Sequence, residues 1–254
     1  MRGKQCKEFC VSLLLILLLF SFIGCANKSK PVSTSFSIKG EVTEESTDFK
    51  ELSLNVPVLS GFDAAETINK EINNSVAAAI AEVEDAASLM VKDGSRLKAG
   101  LEVNYLYSKS GDIVSLWVMM ENYLGGAHGL YWVEPYTFNY YTNEIYHFRD
   151  LFLEGDVSAE LVEEKIIYKI QENPDLYFES AVETVKHYEN DLPFYINGNK
   201  VIVYFPLYDI APYAGGIQFF DFDAEELKVL LRPEIYESIK TGEPVDTKGT
   251  ILEH

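Results

Sequence analysis

The residues that could do chemistry are scattered. The chain has four histidines, His128, His147, His187 and His254. None stands at metal-ligand spacing from another, and no His-Glu-x-x-His run occurs. No Gly-x-Ser-x-Gly nucleophile turn is present. The run Gly125-Gly126-Ala127-His128-Gly129 lacks the lysine and the spacing of a phosphate loop or dinucleotide fingerprint. Carboxylates are abundant, 40 in all, so some must be neighbours by chance. Glu163-Glu164 and Glu225-Glu226 fall in helical pattern; adjacent helix residues point apart, which predicts solvated faces. Asp221 and Asp223 could stand together at a strand end, leaving a calcium or acid–base role open beside a structural one. Whether any two acids flank a glycosidic bond is decided by geometry, not sequence. The expectation is a chain with no catalytic residues, no cofactor and no metal site.

Aromatic side chains beside glycines are the stronger lead. In Asn122-Tyr123-Leu124-Gly125-Gly126-Ala127-His128-Gly129 the glycines cannot cheaply sit inside a helix or regular strand. They mark a tight crossing or bulge between strands. Tyr131, Trp132 and Tyr136 follow it. A second crossing, Pro206 to Gly216, carries Tyr208, Pro212 and Tyr213. Exposed, these rings suit a protein hot spot or sugar stacking; buried, they fill the core beneath the glycines. His128 likewise reads either as a hydrogen-bonded histidine at a sheet corner or as part of a recognition loop. The candidate ligand-binding set is Tyr123, Gly125, Gly126, His128, Tyr131, Trp132, Tyr208, Pro212 and Tyr213.

One covalent chemistry is written at the N-terminus. Arg2, Lys4 and Lys7 precede the apolar run Val11–Phe20, which leads to Phe22-Ile23-Gly24-Cys25. This resembles a bacterial lipoprotein signal peptide with its lipobox. The resemblance implies cleavage after Gly24 and a lipid on Cys25, where only a thiol can form the thioether. The apolar stretch Phe9–Ile23 is short for a membrane span, which needs about 20 residues. Two acyl chains, at about 0.8 kcal/mol per buried methylene, anchor stably. Cys6 and Cys10 leave with the leader, so no internal disulfide and no cysteine metal site is expected.

Net charge is −19; losing Arg2, Lys4, Lys7 and Glu8 with the leader makes it about −21. Such a surface repels nucleic acid and anionic lipid and attracts basic partners, most strongly at low salt. Solubility alone is a commoner reason for acidity. Hydrophobic residues make up 47% of the chain, enough for a core and against disorder.

The elements that must position these residues follow from periodicity. Ser35–Val42 alternates as a strand, and Phe49–Val58 suggests a second. Phe62, Ala65, Ile68, Ile72, Val76, Ala79, Ile80, Val83, Ala87 and Met90 form one stripe on a long helix. Asp63 and Glu66 have capping-box spacing, and Gly94 can close the helix. Leu101–Tyr105 and Ile113–Met120 read as an antiparallel hairpin. Tyr131–Tyr140 is a strand in which Pro135 suggests a start, an edge or a bulge, and Asn143 tolerates positive φ in the turn after it. Ser158–Ile170 is helical, Phe178–Tyr188 ambiguous. Phe194–Phe205 is a hairpin about Asn197-Gly198-Asn199. Ile217–Phe222 is a last strand and Asp223–Leu231 a short helix. Glu234–His254 has weak pattern and reads as a loose tail. The expected organisation is leader 1–24, tether 25–34, domains 35–120 and 121–232, and tail 233–254.

The order of these elements, with Tyr123, Gly125, Gly126, Ala127 and His128, then Asp150-Leu151-Phe152, then Tyr204 to Gly215, resembles a known family. It pairs a domain found beside the peptidoglycan deacetylase PdaC (DUF4163-like) with one shared with the extracellular part of the anti-sigma factor RsiV (DUF3298-like). Asn143 stands where that family favours glycine. The resemblance implies an α+β fold outside the membrane: antiparallel sheets, a long N-terminal helix on one face, and two closely packed sub-domains. It implies a non-catalytic binding or sensing module for a basic protein such as lysozyme, moored to the outside of the cell membrane through Cys25. The alternatives are an accessory module for peptidoglycan or another glycan and, behind it, a carboxylate-dependent glycan hydrolase. Nucleic acid is not an expected partner.

Overall fold

The computed structural model describes residues 35–94, 96–189 and 191–252. The leader, Cys25 and the tether up to Thr34 lie outside the described residues, as do Ser95, Asn190 and the last two positions.

Four layers follow one another in the compact unit from Thr34 onward. A six-stranded sheet has the order β1 (Ser37–Ser46), β2 (Lys50–Ser60), β3 (Ala99–Ser110), β4 (Ile113–Tyr123), β5 (Leu130–Asn139), β6 (Glu144–Ile145). Its first face carries α1 (Ala65–Asp93), a helix of 29 residues. Against its other face lies a three-stranded antiparallel sheet, β7 (Phe194–Asn197), β8 (Lys200–Phe205) and β9 (Gln218–Asp223). Beyond that sheet pack α2 (Asp156–Glu172) and α3 (Ala181–His187), and α4 (Pro233–Ile239) follows in the chain.

Alternation assigns each face. Ile68, Ile72, Val76 and Val83 of α1 bury against Leu52, Leu54, Val103, Val114, Leu116, Val118 and Met120. The other side of β4 and β5 offers Trp117, Met119 and Val133 to Tyr195, Ile202 and Tyr204. The far side of the small sheet gives Ile196, Val201, Val203, Phe205, Phe220 and Phe222 to Val162 and Ile166 of α2. β4 is therefore buried from Ile113 to Met120 because both its faces are covered. Ser115 is the polar exception. Its hydroxyl bonds Thr137 at 2.8 Å and accepts the Ile196 N–H at 2.9 Å, which ties the edge of the small sheet to the large one.

The α+β class and the helix on one sheet face stand, with corrections of detail. The large sheet is mixed, because β2 and β3 run parallel from Lys50↔Ala99 to Leu54↔Val103. A strand, a helix and a second strand in one sheet need a crossover, and α1 supplies it. The capping box at Asp63 is absent: the N-cap is Ala64, and the Asn143 side-chain carbonyl accepts its N–H at 3.1 Å. Asn143 has φ 61°, so the turn it closes docks on the helix start. Gly94 closes α1 at φ 65°. Pro135 lies where β5 is an edge, since β6 pairs only Phe138 and Asn139. The expected helix Asp223–Leu231 is absent: Asp223 ends β9, residues 224–230 are turns and Leu231 bridges to Phe152, with Ala224, Leu227 and Leu231 buried. The ambiguous Phe178–Tyr188 stretch forms α3.

The tail is packed, not loose. Ile235 and Ile239 of α4 are buried. Asn197 clamps Val245, accepting its N–H at 2.7 Å and donating to its carbonyl at 3.1 Å. Leu252 is buried between the sheets. Gly198 is where the tail crosses the β7–β8 turn: it has φ 62°, and a Cβ there would lie 2.5 Å from Pro244 N. Gly198→Ala is expected to lower stability by about 2 kcal/mol, the left-handed penalty of roughly 1–2 kcal/mol plus the clash. Urea titration measures it, and an unchanged midpoint would contradict the packed tail.

Candidate binding surface

The first glycine crossing joins β4 to β5. Gly125 and Gly126 have φ near 100°, which bulkier residues resist. Gly129 meets a different need: a Cβ there would sit 2.4 Å from the Asn122 carbonyl oxygen. The Tyr123 hydroxyl donates to the Gly126 carbonyl at 2.9 Å and braces the loop. His128 then projects from its tip, exposed.

The second crossing joins β8 to β9 and lies against the first. Its back is anchored by Asp209, which accepts the Tyr188 hydroxyl at 2.8 Å, and by buried Ile210. Its front presents Tyr208 and Tyr213. Their rings and His128 form one stack: His128 lies 3.9 Å from Tyr213 at 22°, and Tyr208 is 5.6 Å from Tyr213. Tyr131 meets Tyr213 edge-on at 6.3 Å. The Gly129 carbonyl lies 2.9 Å from His128 Nδ1 and accepts the Tyr213 hydroxyl at 3.1 Å. A carbonyl only accepts, so Nδ1 carries hydrogen and Nε2 is left to face the Tyr208 hydroxyl, 3.4 Å away. Tyr208 is 49% exposed and has φ 66°, a conformation costly for a bulky residue. Pro212 stands exposed in the same crossing.

Trp132 does not join this cluster. Successive strand residues point to opposite faces, so Tyr131 goes to the aromatic stack and Trp132 packs beside the α1 core, as does Tyr136. Thus His128, Tyr131, Tyr208 and Tyr213 come together, with Tyr123, Gly125 and Gly126 shaping the loop that holds His128.

Register adds an acidic row. Across the large sheet the pairs Glu44↔Ser53, Ser53↔Glu102, Glu102↔Glu121 and Glu121↔Tyr131 run in line. Glu102 and Glu121 are exposed and directly opposite, a repulsive arrangement. They border a hollow of about 400 Å³ with Glu51, Ser53, Lys98, Tyr123 and Gly129. Acid thus runs up to the aromatic stack. Sequence reading missed Glu102 and Glu121 because they are close only through strand pairing.

The other candidate groups have structural neighbours. Asp221 pairs with Lys200 at 2.9 Å, and Asp223 adds to the same lysine's field, holding its ammonium above the ordinary range. Glu163 is buried on α2 and Glu164 exposed, so the expected solvated face holds for one of the two. Glu225 and Glu226 lie in the turns after β9, not on a helix; Glu225 accepts the Tyr236 hydroxyl, and Glu226 pairs with Lys165 at 2.6 Å. His147 caps the turn Phe148–Leu151 and approaches Asp191 at 3.4 Å. Among the described residues no group of three or more His, Cys, Asp and Glu is placed to hold a metal ion, and no helix is long and apolar enough to cross a membrane.

Two family models match the chain: Deacetylase PdaC over residues 43–131, and a protein family of unknown function, DUF3298, over 149–225. The chain carries both domains. The PdaC match runs from the last residues of β1 to the start of β5 with the first crossing, and the DUF3298 match takes in α2 to β9 with the second. The aromatic stack is therefore shared, His128 and Tyr131 from one domain, Tyr208 and Tyr213 from the other. A solved DUF3298-family structure from Bacteroides fragilis is similar in fold, with TM-score 0.60 and 14% identity over 82% of this chain and 98% of that one. Another, from Pseudomonas aeruginosa, gives TM-score 0.50 and 12% identity over 85% and 100%. No curated protein sequence matches the chain.

Proposed function

We propose that the chain is a non-catalytic, lipid-anchored module on the outer side of the cell membrane that binds or senses a basic protein. One observation carries this reading: a row with the facing acids Glu102 and Glu121 leads into an aromatic stack at the surface, built jointly by the PdaC and DUF3298 domains. Tyrosine faces stack on guanidinium groups, and neighbouring carboxylates add attraction and speed encounter. The overall acidity and the resemblance to the extracellular part of the lysozyme-binding anti-sigma factor support the same class of ligand. The leader and Cys25 support the location. Asp221, Glu225, Glu226 and His147 are engaged by neighbours that hold the fold, and no catalytic role is assigned to them despite the deacetylase name of one family model.

Lysozyme is a suitable basic probe. Capture by the immobilised chain is expected at 20 mM salt and should fall at least tenfold at 500 mM, as screening shortens from roughly 20 Å to a few ångström. Capture that is absent at low salt would defeat the reading. The exposed Tyr208 ring, with the half-buried Tyr213 ring beside it, also suits sugar stacking, so co-sedimentation with purified cell wall is the matching test for a peptidoglycan or glycan accessory role.

A further inference from the structure

His128 is the imidazole inside the aromatic stack. A neutral imidazole takes up a proton, and a positive charge, between about pH 8 and 5. The contacts of His128 couple that change to the face a ligand meets. Its ring stacks on Tyr213 at 3.9 Å and 22°. Nδ1–H donates to the Gly129 carbonyl at 2.9 Å, and Nε2 faces the Tyr208 hydroxyl at 3.4 Å. While the ring is neutral, Nε2 only accepts, so the Tyr208 hydroxyl points its hydrogen inward and its lone pairs outward. An arginine or lysine of a ligand then meets an acceptor. A protonated Nε2 donates instead. The Tyr208 oxygen must accept that bond, and its hydrogen turns out toward the ligand. The same proton lays a cation on the Tyr213 face, where it competes with the ligand's own cation–π contact.

The neighbours of His128 are phenols rather than carboxylates. Tyr208 and Tyr213 come from the second crossing, and Tyr131 of β5 reaches it through Tyr213. On its own crossing the Tyr123 hydroxyl is engaged with the Gly126 carbonyl. α1 approaches that loop through uncharged Met90, whose methyl lies 3.1 Å from a Cβ placed on Gly125. Glu121, at the end of β4, acts on the Tyr131 phenol. Beyond Gly129 the hollow holds Glu51, Glu102, Glu121 and Lys98. Among the described residues the histidine that meets a carboxylate is His147, beside Asp191 at 3.4 Å. We infer that His128 is a proton-operated release: a proton on its Nε2 turns the Tyr208–Tyr213 surface from one that accepts a basic protein into one that repels it. This rests on the reading of the stack as the site for such a ligand.

Lysozyme affinity at about pH 7.5 and about pH 5.5, at one low salt concentration, tests this; carboxylates with ordinary values of about 4 stay ionised across that range. The wild-type chain is expected to lose about tenfold or more on acidification, as like charges are brought together in the interface. His128→Phe keeps a flat ring on Tyr213 but takes up no proton, so its two affinities should agree. His128→Arg carries the charge throughout and should bind as weakly at the higher pH as the wild type does at the lower. His147→Gln should keep the wild-type ratio. The titration of lysozyme itself is common to every variant, and melting curves at both pH values establish that each is folded. A wild-type affinity indifferent to pH, or an equal loss in His128→Phe, would overturn the inference and leave the binding site standing. Absence of capture at the higher pH would end both.

Discussion

Trp117→Ala is expected to cost about 3–5 kcal/mol, the loss typical of emptying a large aromatic site. Trp117 is fully buried between the two sheets and meets the Tyr195 ring edge-on at 4.8 Å. It belongs to the cluster that joins the large sheet to the small one. Against a total stability of roughly 5–15 kcal/mol, the change removes much of what keeps the layers together. Trp117→Phe should cost clearly less. The indole N–H has no hydrogen-bond partner among the described residues, so phenylalanine forfeits volume but no bond. Urea unfolding of the two variants decides this. Equal costs would mean that the site does not depend on packing.

Alkali should unfold the protein steeply. Burial, and after it nearby carboxylates, push several tyrosines up from 10: Tyr146 to about 12, and Tyr136, Tyr188, Tyr195 and Tyr204 further. A phenol whose folded pKa is raised stays neutral in the fold while its unfolded counterpart ionises. Its contribution is complete below pH 10 and drains away as pH climbs toward the folded value. Each tenfold displacement of a proton equilibrium is worth about 1.4 kcal/mol, so a few such phenols exhaust a stability on the order of 10 kcal/mol. Stability should be level to about pH 9.5 and lost between roughly 10 and 12. Tyrosinate absorbance for these groups should rise in step with loss of ellipticity. A smooth ionisation near pH 10 with the fold intact would contradict the buried placement.

What could be read from the chain, and what could not, divides along physical lines. The α1 stripe, the alternation in Phe194–Phe205 and the glycine at 94 are local signals, and the fold honours them. Asn143 announced its positive φ, but not that its side chain would cap α1 from 79 residues away. The parallel β2–β3 pairing was hidden because alternation reports faces, not neighbours. The acidic row was hidden for the same reason: Glu102 and Glu121 are 19 positions apart and meet only through register. Tyr131 and Trp132 were grouped by proximity in sequence, though the two-residue period already places them on opposite faces. The tail has little pattern because single anchors hold it, Asn197 on Val245 and Leu252 in the inter-sheet core. Tyr208 shows the reverse, a left-handed backbone at a residue type that gives no sign of it.

The most direct measurement is lysozyme affinity, at low salt, of the wild-type chain beside Tyr208→Ala/Tyr213→Ala. Tyr208 is exposed and Tyr213 half-buried; alanine keeps the Cβ and with it the φ strain at 208, and a melting curve establishes that the double variant is folded. Removal of two hot-spot rings predicts at least a hundredfold loss of affinity, about 2.7 kcal/mol or more. Unchanged binding by the folded double variant would contradict the assignment of ligand recognition to the surface where the two glycine crossings meet.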